Sequence, residues 1–250
     1  MNISSVRRRF CASSASYDAE AQAQRQIAER LWALAAPHIA SGATILEIGA
    51  GTGLLTRHIL SAQPRSLTVN DLYTSPQVRA LAAQQPDVLS VREGDAETLD
   101  FGGGYDAICS ASTVQWFADT EGFFSRCARH LHRGGLLAFS SFLPGNLREV
   151  AELTGVGLAY CEADMLRSRL VRNFDLIVME QGEITLFFDS PHHVLLHLRR
   201  TGVTGIRSVG WNKRSYLEFV DSYLSRHGTE QGVRLTYRPV YAVAVRKGAE

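Results

Sequence analysis

The chain has 250 residues, 45% of them hydrophobic and 20% charged, the balance of a protein that buries one sizeable core, one domain with an insertion rather than two full domains. A formal net charge of +1 argues against a general nucleic-acid binder, which carries a basic excess, and no apolar run reaches the roughly 20 residues of a membrane span. Cys11, Cys109, Cys127 and Cys161 are widely spaced with no C-x-x-C pair; they fit free thiols in a reducing cytoplasm, with neither a zinc site nor a disulfide framework, and no metal is expected.

The opening stretch, with Arg7-Arg8-Arg9 and no apolar run behind it, does not read as a secretory signal. Residues 17–36 are rich in Ala, Gln, Glu and Arg, with Ile27, Leu31, Leu34 and Ala35 at helical spacing, so a helix is expected there, ended by Pro37. Strand and helix patterns then alternate. Strands are expected over 43–48, 66–70, 88–92, 105–110 and 136–142, and helices over 52–61, 75–84 and 120–131, with Arg133-Gly134-Gly135 turning the chain into the fifth strand. Such alternation implies a mainly parallel sheet covered on both faces, with ligands at the carboxyl ends of its strands. Beyond Pro144 the regular order stops. Helices are expected over 146–154, 162–172, 191–200 and 213–226, strands over 176–179 and 183–188, and one last antiparallel strand over 234–246. The strands of this region are expected to form the closing hairpin of a seven-stranded sheet, with the helices inserted as a cap.

The stretch Leu46-Glu47-Ile48-Gly49-Ala50-Gly51-Thr52-Gly53 organises the rest. A buried strand runs into three alternate glycines and then a helix. Glycine permits positive φ and close approach of a ligand to the backbone, and the helix start offers free N–H groups. The dinucleotide fingerprint G-x-G-x-x-G does not fit, because Leu54 stands where its third glycine belongs. The string Glu47–Gly53 instead resembles motif I of the class I S-adenosylmethionine-dependent methyltransferases. The resemblance implies a Rossmann-like α/β fold with a seven-stranded, mostly parallel sheet, helices on both faces and a helical cap. It divides the chain into a lid helix (1–40), a cofactor-binding core (41–142), a cap and substrate region (143–232) and a last strand (233–246). It also implies that Gly49, Gly51 and Gly53 pack under the methionine end of the cofactor while Glu47 orients its amino group.

Asp71, with Leu72 beside it, closes the second strand about 20 residues after the glycine turn, where a carboxylate can accept from both ribose hydroxyls. By the same resemblance, Asp95 in Gly94-Asp95-Ala96-Glu97 accepts from the adenine amino group and the backbone of Ala96 meets the ring. Ser112-Thr113-Val114-Gln115-Trp116-Phe117 follows the fourth strand, closest to the transferable methyl. Trp116 offers an aromatic face to a sulfonium cation, and Gln115 an amide aimed at the substrate.

The cap carries an uneven charge. Between 191 and 217 there is no acid, against Arg199, Arg200, Arg207, Lys213 and Arg214, and Arg167, Arg169 and Arg172 form a second group. A basic surface there suits an anionic ligand or an acidic partner. Further stretches narrow the family: Arg9-Phe10, Ala15 and Tyr17-Asp18; Thr113-Val114-Gln115-Trp116; Phe139-Ser140-Ser141-Phe142 with Pro144-Gly145-Asn146-Leu147 and Glu149; Leu198-Arg199-Arg200-Thr201-Gly202-Val203-Thr204; and Leu235-Thr236-Tyr237. Together they resemble the malonyl-acyl-carrier-protein O-methyltransferases of biotin synthesis from Arg9 to Arg246, with an alanine at position 50 where many members carry a cysteine.

That resemblance implies esterification of the free carboxylate of a malonyl thioester, with S-adenosylmethionine leaving as S-adenosylhomocysteine. The partner would be acyl carrier protein, or malonyl-coenzyme A in its place, with no nucleic acid, no membrane and a cytoplasmic setting. Tyr17 and Gln115 would orient the acceptor, an arginine would anchor its carboxylate because the guanidinium fork matches that group, and Arg199 or Arg200 would meet the carrier protein or the malonyl group; Arg199 is the candidate. The competing readings are another small-acid carboxyl methyltransferase or a C-methyltransferase of the same fold, a non-catalytic subunit that keeps the fold as a binding module, and, lowest, an NAD-dependent oxidoreductase.

Overall fold

A computed structural model of the chain describes residues 20–202 and 211–248. Helix α1 (Gln22–Ala35) leads into β1 (Thr44–Ile48), α2 (Leu54–Ser61), β2 (Ser66–Asp71), α3 (Pro76–Gln84), β3 (Leu89–Glu93), β4 (Tyr105–Ser110), α4 (Thr120–His130) and β5 (Leu131–Phe142). Strand β5 begins earlier than expected, because the Gly134-Gly135 turn lies inside it. Tyr105 pairs with Leu131 and Ala107 with Leu136, so the four residues between bulge out of the ladder. Gly134 takes φ +75, and a side chain on Gly135 would meet the His132 carbonyl oxygen at 2.9 Å.

The expected seven-stranded sheet is formed, in the order β3-β2-β1-β4-β5-β10-β6, where β6 is Phe174–Gln181 and β10 is Pro239–Arg246. Only β10 runs against the rest, antiparallel to both β5 and β6. Because successive strand residues face opposite sides, the sheet buries two separate cores. Ile45, Val69, Cys109, Leu136 and Ala138 pack with Ile27 and Leu31 of α1 and Leu55 and Ile59 of α2. On the other face Leu46, Ile48, Ile108, Leu137 and Phe139 pack with Phe123 and Phe124 of α4. Leu166 and Leu170 of α6 (Ala163–Leu170) join that second core. Among the described residues no helix is long and apolar enough to cross a membrane.

The end of the chain differs from the expected single strand. Residues 232–246 form two strands in two sheets. The first, β9 (Gly232–Tyr237), lies in a small sheet between β7 (Ile184–Phe188) and β8 (Gly228–Thr229). The second is β10. The expected closing hairpin is split the same way, β6 staying in the large sheet and β7 in the small one. The switch has a physical cause at Arg238-Pro239. The Arg238 N–H donates to the Asn146 side chain at 3.0 Å instead of to a strand, and its guanidinium donates to the Pro144 carbonyl at 2.7 Å. Pro239 has no N–H to give, so it suits the first position of a strand, and it lies opposite Phe142.

The cap rests on this corner. Helix α5 (Arg148–Thr154) starts later than expected, since Gly145 (φ +85) and Leu147 (φ +57) are left-handed. Glu149, fully buried in its first turn, accepts from the Thr236 hydroxyl at 2.6 Å and the Thr236 N–H at 3.0 Å. Helices α7 (Pro191–Arg200) and α8 (Lys213–His227) complete the cap. The Ser190 side chain caps α7, and Asn212 with Ser215 forms a capping box on α8, which satisfies otherwise orphaned N–H groups.

Candidate active site

The glycine turn after β1 is held from below by the end of β2. The N–H groups of Gly49 and Ala50 both donate to the Asn70 carbonyl, at 2.8 and 3.0 Å, and the Gly51 N–H donates to Asp71 Oδ2 at 2.8 Å. Each glycine serves a different purpose. A side chain on Gly49 would collide with Thr113, its Cβ lying 2.0 Å from the hydroxyl oxygen. Gly51, at φ +55, has nothing within 4 Å of where a Cβ would stand, so its missing side chain leaves ligand space. Gly53, at φ +86, is the left-handed cap of α2.

Asp71 also accepts from the Tyr73 N–H at 3.2 Å. Burial pushes its carboxyl up from the usual range, and these N–H bonds, that of Gly51 first, pull it back. Each carboxylate oxygen has a second lone pair, so the group can hold the turn and accept from a diol together. Asn70 has a further role that its sequence position did not suggest. Its amide donates to the carbonyls of Arg92 and Gly94, at 2.8 and 3.0 Å, and so clamps the loop that carries Asp95. Within that loop Asp95 Oδ1 accepts from the Glu97 N–H at 2.9 Å. Glu97 reaches across the opening and accepts from the N–H groups of Ala118 and Asp119, each at 3.1 Å, fixing the opposite wall.

That wall is the segment after β4. Ser112 sits at φ +53, a costly conformation for a residue with a side chain. Its N–H donates to Ser140 Oγ at 2.9 Å, its carbonyl accepts from Gln115 Nε2 at 2.6 Å, and its own hydroxyl is buried with no partner among the described residues. One groove results, lined by Gly49, Gly51, Asp71, Leu72, Asp95, Ala96, Ser112 and Trp116 of the expected residues, with Glu97, Thr113 and Phe117 beside them. Two carboxylates, an unpaired hydroxyl and an aromatic wall around an open glycine backbone fit a nucleoside ligand with a diol and a charged tail.

Other expected residues are not part of this lining. Glu47 lies beneath the turn, 1% exposed, accepting from the Thr56 hydroxyl at 2.6 Å. Burial pushes its carboxyl up to about 8. Gly53 shapes α2, and the Gln115 amide nitrogen is committed to Ser112, its Oε1 buried without a partner among the described residues. Arg199 is an exposed residue of α7. Its neighbour Arg200 is bonded to Glu20, which its Nη1 meets at 2.5 Å. Tyr17 lies outside the described residues.

Strand order and groove together define a methyltransferase domain, and residues 46–139 match the methyltransferase-domain family. A solved structure of the same architecture is the N-methyltransferase NodS of Bradyrhizobium japonicum in complex with S-adenosylhomocysteine. It shares 15% identity and a TM-score of 0.53, over 90% of this chain and 87% of that one. Kinship over the whole length is closer. The malonyl-[acyl-carrier protein] O-methyltransferase of Bacteroides thetaiotaomicron is 36% identical across 99% of both chains. That of Haemophilus ducreyi is 36% identical across 97% of this chain and 96% of its own. The chain belongs to the malonyl-[acyl-carrier protein] O-methyltransferase family.

Proposed function

We propose that this chain methylates the free carboxylate of a malonyl thioester on acyl carrier protein, in the cytoplasm, with S-adenosylmethionine as donor, to supply biotin synthesis. The observation that carries the reading is the convergence of Gly51, Asp71, Asp95, Ser112 and Trp116 on one groove in a chain of that family. Asp71 would accept from the ribose hydroxyls, Asp95 and the Ala96 backbone would hold the adenine, and the backbone of Gly49 and Gly51 would lie under the methionine end. Trp116 places an aromatic face where a sulfonium is attracted.

When bound, the donor supplies a methyl group already activated by positive sulfur. What remains for the protein is positioning. A malonyl carboxylate is ionised at pH 7, since such acids titrate near 4, so no general base is needed. Holding oxygen, methyl carbon and sulfur in line can supply about 7–11 kcal/mol. The exposed basic residues of the cap, Arg199 and Lys213 among them, suit an acidic carrier protein.

The test is acceptor choice. An acetyl thioester has no nucleophile and is expected not to react. A succinyl thioester displaces the carboxylate by one methylene, a size difference worth about 1–3 kcal/mol, and misplacement by about 1 Å adds a cost on the order of 100-fold. Malonyl-carrier protein is therefore expected to exceed succinyl-carrier protein by at least about 100-fold in kcat/KM, giving a base-labile methyl ester. Equal rates, or a base-stable product methylated on carbon, would reject the acceptor.

A further inference from the structure

Gln24 lies in the first turn of α1 and is only 5% exposed. Among the described residues nothing donates to its Oε1. A buried amide oxygen without a donor is costly. Its placement suggests what it waits for. Helix α1 packs on β5 and β10, on the face where Ile45, Ala138 and Phe142 meet Ala23 and Ile27. By alternation, Glu47 shares the side of Ile45, and Ser140, which holds the Ser112 N–H, shares that of Ala138 and Phe142. The start of α1 is at the carboxyl edge, tied to the cap where Glu20 meets Arg200 at 2.5 Å and His197 at 3.7 Å. Gln24 therefore stands on the glycine-turn side of the sheet, at the end where the groove opens.

A lone acceptor needs a ligand that donates. The reacting end of a malonyl thioester offers only acceptors, a carboxylate and a carbonyl. The amino-acid end of the methyl donor carries an ammonium group, with three donors. The acids that line the groove have other work: Asp71 is assigned to the ribose hydroxyls and Asp95 to the adenine, Glu97 holds the N–H groups of Ala118 and Asp119, and Glu47 is sealed beneath the turn by Thr56. We infer that Gln24 is a cofactor-binding residue whose carbonyl oxygen accepts a hydrogen bond from the ammonium group of the methyl donor. The inference rests on the proposed use of S-adenosylmethionine.

Calorimetry with S-adenosylhomocysteine and with 5′-methylthioadenosine, which lacks the amino-acid end, tests it on the full chain. Gln24→Leu is expected to weaken S-adenosylhomocysteine by on the order of 10- to 100-fold, as for a lost bond to a charged group. Methylthioadenosine affinity and the KM for malonyl-carrier protein are expected to hold, and the melting temperature of the unliganded protein to hold or rise. Gln24→Met, closer in shape, gives the same result should the leucine variant fail to fold. An unchanged affinity for S-adenosylhomocysteine, whatever the melting temperature, would make Gln24 a purely structural orphan and overturn the contact. An equal loss for both nucleosides, or a rise confined to the KM for the carrier protein, would equally overturn the contact. Wild-type protein that bound neither nucleoside would refute the proposed donor, and this contact with it.

Discussion

The groove half of the molecule, 44–142, and the cap, 143–232, are assembled by different rules. In the groove half each functional residue stands at or just beyond the end of its own strand, and a strand beside it in the sheet, or the turn after that strand, holds it or its loop. Asp71 ends β2 and bonds the turn that follows β1; Asp95 follows β3; Ser112 follows β4. In the cap the decisive contacts join residues far apart in sequence, such as Glu149 with Thr236 and Arg200 with Glu20. A groove built from strand ends depends little on the cap for its shape, while the cap depends on a few buried polar bonds.

The largest effect should come from breaking the cap at Glu149. Glu149→Leu leaves the Thr236 N–H and hydroxyl buried without their acceptor, with Arg234 at 3.8 Å also losing its partner. Denaturant unfolding is expected to show a loss of about 3–5 kcal/mol, while the folded protein binds S-adenosylhomocysteine as before. A matching loss of cofactor affinity would show that the two halves are not separable. The reverse case is Gly51→Val. Its Cβ enters open space, so the fold should lose only about 1–2 kcal/mol from the left-handed backbone, but the ligand loses its seat. Affinity is expected to fall at least about 100-fold, since a displacement of about 1 Å already costs that much in a positioned site.

Glu47 sharpens the comparison through pH. Its folded value is near 8, above the value of an unfolded glutamate, so the folded state holds the extra proton between the two. Stability contributed by the neutral form is complete below about pH 4.3 and is lost as pH rises through the folded value, with a slope approaching 1.4 kcal/mol per pH unit, roughly one proton's worth. Glu47→Gln should flatten the slope of the unfolding free energy between pH 5 and 8; an unchanged slope would show that the glutamate titrates normally. The smallest effect belongs to Arg199. Charge reversal at this exposed site is expected to raise the KM for malonyl-carrier protein by about threefold to tenfold at low salt, fading as salt is added, with cofactor affinity untouched. A change in cofactor affinity instead would place α7 over the groove.

The same division explains what could be read from the sequence. The strands of 44–142, the glycine turn and Asp71 were legible because local rules produce them: apolar runs, positive-φ glycines and a carboxylate at a strand end. Asn70 and Glu97 were missed as clamps because each works through backbone groups across the groove, and nothing local marks an asparagine in a strand as a staple. Gln115 was expected to face the substrate, but its amide finds the carbonyl of Ser112 three residues back, a contact set by the left-handed turn at Ser112. The stretch 234–246 is expected as one strand because Leu235, Tyr237, Val240, Ala242 and Val245 recur along it as apolar positions. Hydrophobic pattern reports burial and says nothing of which sheet a strand joins; the bonds of Arg238 to Asn146 and Pro144, a long way off in sequence, and the missing N–H of Pro239 redirect the chain there.

The position of β10 between β5 and β6 also bears on how the protein comes into being. Ribosomes make β5 first, which pairs with β4, and β6 next, yet β5 lacks its second neighbour and β6 its neighbour in the large sheet until β10 has been synthesised. Until then the growing chain exposes one open edge on the parallel sheet and leaves β6 unattached, the kind of edge that recruits other strands. Completion of the sheet thus waits for a contact between distant parts of the chain, and such closures are slow. For this protein the vulnerable period lasts until the antiparallel strand has slotted into place between β5 and β6.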